Sequence, residues 1–123
     1  MAERETLVDF VARGDTPDEW QMVLVEEGPW NESVENELRR IQDRLYGAID
    51  AAVEGRLAEQ FPDSLGKRIV IQLDCYDGPA NEVAEFFDRF SSGVLETEDY
   101  KKALSGNRFV SGIAFRSNFQ ALG

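Results

Sequence analysis

The chain has 123 residues, 42% of them apolar, no histidine, one cysteine and a formal net charge of −11. That length is ordinary for one domain, with a folded radius of gyration of ~14 Å. The charge repels phosphate backbones and anionic lipid, so neither nucleic acid nor a membrane surface is an expected partner, and the missing histidine excludes Ser-His and Cys-His nucleophile pairs and histidine-based zinc or iron sites.

The charge is concentrated in one half. Met1–Gly66 carries sixteen acids and six bases, a net of −10, and the remaining eight acids and seven bases of Lys67–Gly123 leave −1. Such a field attracts a basic protein partner or cations; the plainer reading is a solubility coat of the kind cytoplasmic bacterial proteins carry. Cys75 stands alone, so no intramolecular disulfide forms. No signal-like or membrane-spanning run occurs, and a cytoplasmic location is expected.

In chain order, Thr6–Ala12 alternates as a strand, with Val8, Phe10 and Ala12 on one face and Leu7, Asp9 and Val11 on the other. Arg13–Asp18 supplies a Gly/Pro loop, and Glu19–Glu26 is a second strand, so the pair predicts an antiparallel hairpin. Asn31 reads as the N-cap of a helix over Glu32–Glu54, ~34 Å long, with Glu32 and Glu35 in its first turn. Its apolar stripe runs Val34, Leu38, Ile41, Leu45, Ile49 and Val53, with Glu35, Arg39, Arg40, Asp43 and Arg44 on the opposite face. Gly55 ends or kinks it, and Arg56–Phe61 adds a turn before Pro62.

Lys67–Tyr76 is the clearest strand, with Ile69, Ile71, Leu73 and Cys75 on one face. Pro79 opens a second helix at its first position, with Val83, Phe86, Phe87 and Phe90 as its core stripe. Thr97–Leu104 forms a short third helix, capped by Thr97 and ended at Gly106. Arg108–Arg116 is the last strand, with Phe109, Ile113 and Phe115 toward the core and Val110, Gly112 and Ala114 away from it.

The order β-β-α-β-α(α)-β predicts a single α+β domain over residues 1–123. Its economical form is a two-layer sandwich: a four-stranded mixed sheet with the two main helices on one face.

The run Trp30 to Ile71 contains Trp30, a long helix bearing Leu38, Ile41 and Tyr46, then Gly55-Arg56-Leu57, Phe61-Pro62 and Arg68-Ile69-Val70-Ile71. Over this third of the chain it resembles a family of small bacterial proteins of unknown function. The resemblance implies a similar fold and no activity, so no functional residue is carried over from it.

One constellation has chemical content. If the second and third strands run parallel through a helical crossover, Glu26 and Glu27 end at the same rim as Asp74 and Asp77, with Trp30 and Tyr76 beside them. Clustered carboxylates there could hold Mg²⁺ or Ca²⁺, or act as an acid/base pair. The structural alternative makes Asp77 a helix cap, leaves Glu26 and Glu27 solvated, and uses Trp30 as a hydrophobic staple onto Val34 or a near neighbour. Trp20 alternates with Met22 and Leu24 and reads as core, and Cys75 reads as a buried thiol rather than a nucleophile. Asp9, between Leu7 and Val11, requires a cationic partner if buried, Arg116 or Arg13.

With no catalytic residue assigned and no cofactor expected, two functions compete. The first is a non-enzymatic, acidic protein-interaction module, inhibitor- or immunity-like or self-associating. The second is a carboxylate- or divalent-metal-dependent enzyme using the rim acids. A homodimer is expected from strands apolar on both faces, the uncovered face meeting either a second copy or the folded-back segment Asn118–Leu122.

Overall fold

The computed structural model describes residues 8–28 and 30–120, the side chain of Gln120 excepted. Four strands form one sheet in the order β1 (Phe10–Arg13), β2 (Glu19–Glu26), β3 (Lys67–Tyr76) and β4 (Val110–Gln120). The helices are α1 (Val34–Val53), α2 (Arg56–Gln60), α3 (Ala80–Gly93) and α4 (Glu98–Leu104), with 3₁₀ turns at Pro62–Ser64 and Val94–Glu96. β1 pairs antiparallel with β2, closing the expected hairpin, while β2 with β3 and β3 with β4 are parallel. This is the α+β mixed sheet that the element order predicts. No described helix is long and apolar enough to cross a membrane.

The two parallel pairings put α1 and α3–α4 in crossovers that step across the sheet in the same direction. Crossovers of one hand stepping one way lay their helices on one face. The buried cluster agrees: Ile41, Leu45 and Ile49 of α1 and Val83, Phe87 and Phe90 of α3 share it with Trp20, Met22, Leu24, Ile69, Ile71 and Leu73. Trp20 is therefore core, as its alternation implies. Phe115 meets the α3 rings Phe87 and Phe90 edge-on, with centroids 6.2 and 6.0 Å away.

Several boundaries differ from the sequence reading, each for a local reason. Ser33, not Asn31, caps α1: its hydroxyl accepts the Asn36 N–H at 3.2 Å, the usual reach from N-cap to third residue. Pro79 precedes α3 by one position, and Thr97 makes no side-chain cap, turning its hydroxyl back to the Val94 carbonyl at 2.8 Å. The first strand begins only at Phe10, while Thr6 and Leu7 lie outside the described residues.

The last strand holds the largest correction. Lys67 pairs with Val110 but Arg68 pairs with Gly112, so Ser111 is an extra residue, a bulge. One inserted residue reverses the side chains before it. Val110 therefore joins the helix-side core instead of sharing the face of Gly112 and Ala114. The strand also continues to Gln120, so Asn118 lies beside Asp74 in the sheet rather than folding back over it. On the helix-free face Val23 and Val70 are each only 3% exposed, whereas Phe10 is 53% exposed.

Gly55 joins α1 to α2 at φ 90°, a left-handed turn, and a Cβ there would lie 2.7 Å from the Phe109 ring. Gly55→Ala combines left-handed strain with that overlap, and a loss of about 2 kcal/mol is expected. Urea unfolding of the two proteins measures it; equal midpoints would show that the ring moves aside freely.

Candidate functional site: the carboxyl-terminal rim of the sheet

β2 and β3 end at the same edge, with Val25 beside Asp74 and Glu26 beside Cys75. Strand alternation then divides the two rim acids that lie within the strands. Glu26 follows Trp20, Met22 and Leu24 onto the helix side, whereas Asp74 follows Val70 and Gln72 onto the helix-free side. Parallel strands bring these backbones together, and the pleat sends the two carboxylates to opposite faces.

Glu26 is buried and doubly paired. Its Oε1 accepts from Arg40 Nη2 at 2.5 Å and its Oε2 from Arg44 Nη1 at 2.6 Å. Arg44 also donates to the Val25 carbonyl at 2.9 Å and to Asp9 Oδ2 at 2.7 Å. Asp9 Oδ2 in turn accepts the Val25 N–H at 2.6 Å, the bond that β1 has no regular pairing residue left to supply. On the other side Arg40 forms an ion pair with Glu37, a side chain only 2% exposed. Glu37 Oε1 accepts the Glu32 N–H at 3.2 Å, while its Oε2 makes no directed hydrogen bond. Three acids and two bases thus form one chain, Asp9–Arg44–Glu26–Arg40–Glu37. It ties the first turns of α1 to the β1–β2 edge.

Arg44 is therefore the partner Asp9 requires, in place of Arg116 or Arg13; Arg116 instead reaches Asp15 and Glu19 at 3.6 and 3.8 Å. Burial pushes the Asp9 carboxyl up, but the Val25 N–H and the Arg44 guanidinium outweigh it and hold the pKa below the ordinary value. For Arg40, burial opposes the charge, and Glu26 and Glu37 more than restore it.

Trp30 and Tyr76 also come together, through the main chain. The indole N–H donates to the Tyr76 carbonyl at 2.9 Å, and Arg40 lies over the Trp30 ring at 5.7 Å. A Cβ on Gly78 would stand 2.6 Å from that ring, so the turn after β3 closes on the indole only because residue 78 is glycine. Trp30 is not a staple onto Val34, which is exposed. Cys75 lies beneath this turn, and burial, then the Glu26 charge, push its thiol up, against the Gly78 N–H. A protonated, buried thiol is not a nucleophile.

The other rim acids stand apart from this chain. Asp74 is largely buried and accepts from Gln72 Nε2 at 2.8 Å. Asp77 occupies the turn at φ 55°, two residues before Pro79, which takes the N-cap position of α3 and offers no capping side chain. Glu27 is exposed at the mouth of an open cavity of about 570 Å³ that Glu26, Asn31, Glu32 and Arg40 also line. Among the described residues no three acids or cysteines converge as a metal site would require.

Arg40, Arg44 and Glu37 are what the sequence reading missed, having placed both arginines on the solvent face of the helix. Their spacing of three and four residues marks one stripe, and that was the available signal. A second cavity, about 590 Å³, lies between α1 and α4. There the Tyr46 and Tyr100 rings stack at 6.3 Å, and the Tyr100 hydroxyl donates to Asp50 at 2.7 Å.

Comparison with protein-family models, with curated proteins and with solved structures returned no match.

Two stability measurements follow from the ion-pair chain. Glu26→Gln removes the charge shared by two guanidinium groups and leaves Arg44 only Asp9 and Arg40 only Glu37 as ion-pair partners, so about 2 kcal/mol should be lost in denaturant unfolding. Asp9 gives a pH signature. Its folded pKa is depressed, so its contribution is full above the unfolded pKa and disappears as pH falls through the folded one. Wild type should melt above Asp9→Asn at neutral pH, the gap closing on acidification below ~4. A gap independent of pH would mean that the carboxylate charge plays no part.

Proposed function

We propose that the chain is a cytoplasmic, non-enzymatic protein-interaction module, working by association with another protein or with its own copy, in the manner of small bacterial inhibitor or immunity proteins. The observation that carries this reading is the use to which the rim acids are put. Glu26 is neutralised by Arg40 and Arg44, and Asp74 points to the other face. A general acid or base needs a carboxylate open to its substrate, and both oxygens of the buried Glu26 are already taken by arginines. The acidity of the first half, −10 over Met1–Gly66, supports a basic partner drawn in by long-range attraction. A lone buried cysteine suits a reducing compartment.

The competing reading is a cation-dependent enzyme, supported by the shared edge at which β2 and β3 end. Thermal unfolding in MgCl₂ or CaCl₂, against NaCl of matched ionic strength, separates the two. The interaction module should show the same midpoint in all three salts. A bound cation raises the midpoint by mass action. A rise confined to the divalent salts and lost in Asp74→Asn would return the rim to the enzyme reading.

A further inference from the structure

We infer that a second copy of this chain is a partner, and that it pairs antiparallel along the outer edge of β4, joining two four-stranded sheets into one of eight. The inference rests on the interaction reading above and names the surface and the occupant.

A sheet has two edges, and an unpaired edge is a template for another strand unless it is short, charged, broken by proline or covered. The two edges here differ sharply. β1 has four residues and ends on Arg13, so it is protected by brevity. β4 has eleven, and among the described residues it pairs only with β3. Its one irregularity, the Ser111 bulge, lies at the start. From Gly112 to Gln120 there is no proline, no acid and a single base, Arg116. Nine residues of regular strand offer a ladder of roughly 30 Å.

The side chains on β4 agree. Ile113, Phe115 and Phe119 face the helical layer and pack against the core, yet each stays only half-buried at the margin of that layer. A strand added outside β4 extends the sheet beneath them and brings its own Ile113, Phe115 and Phe119 alongside, aromatic and β-branched cross-strand pairs of the stabilising kind.

A second copy suits this edge better than an unrelated strand for two reasons. A two-fold axis normal to the sheet makes β4 antiparallel to itself, so each copy presents the donors and acceptors the other lacks, and the assembly closes at two. Pairing β4 with the β1 edge of another copy is limited to four residues and would propagate instead of closing. Charge points the same way. Two chains of −11 repel, but β4 carries +1 and lies in the half whose net charge is only −1.

The test is the mass by light scattering at micromolar concentration for wild type, for Ala114→Lys/Ser117→Lys, and for Ala114→Glu/Ser117→Glu. The expected wild-type mass is about 28 kDa, twice the 13.9 kDa of the chain. Each double variant should halve that mass, because like charges gather across the ladder, with the circular dichroism unchanged. An equimolar mixture of the two variants should restore the dimer, which a folding defect could not do. A wild-type dimer indifferent to both variants would overturn the β4 assignment and leave self-association through another surface. A wild-type monomer would overturn the inference, while the interaction reading is judged separately by the cation titration.

Discussion

Two parallel neighbours flank β3, and that pairing governs the rest of the molecule. A parallel connection cannot be a tight turn, so the chain must leave the sheet, cross it as helix and return, once before β3 and once after it. Both crossings advance the same way, and one layer of helices results. The central strand is then sealed on that side: Ile69, Ile71 and Leu73 have no exposed surface. The other side receives no layer among the described residues. Gln21, Gln72 and Arg116 stand there beside Val23, Val70 and Ala114.

The ion-pair chain is best understood as the fastening of the weakest corner. β1 is short and at an edge, where a two-stranded ribbon has little packing of its own. Asp9 completes the hydrogen bonding of Val25 beyond the regular ladder, and Arg44 anchors Asp9 to the same carboxylate that Arg40 holds. A buried carboxylate costs several kcal/mol in solvation, and two guanidinium groups with directed bonds offset it. Such a chain specifies which residues meet; replacing it by apolar side chains need not lower stability, so its value lies in registering the hairpin against α1. Trp30 does the same at the adjacent corner, where its indole binds the end of β3 through Tyr76.

Fold and function therefore make unequal demands on the same residues. Acids that look catalytic along a sequence are ordinary at strand ends, where they meet helix residues from the layer above. Only their partners distinguish a fastening from a reaction centre, and here Glu26 has two. The helical layer has a second feature: the cavity beside the stacked Tyr46 and Tyr100 rings, which none of the four rim acids lines.

Much of this was legible along the chain. β2 and β3 occupy the spans their alternation marks, and the stripe Ile41, Leu45 and Ile49 faces the sheet, because periodicity and burial share one cause, the removal of apolar surface from water. What the sequence could not determine is where small offsets and long side chains take effect. The bulge at Ser111 is a property of the paired strands, and it alone decides that Val110 is core. Arg40 and Arg44 sit on a polar stripe by any helical wheel. They become interior partners because β2 ends beside α1 and places Glu26 within their reach. Local patterning determined the elements and their apolar faces. Tertiary pairing decided the pleat, and with it that Glu26 and Asp74, adjacent at one rim, point to opposite faces.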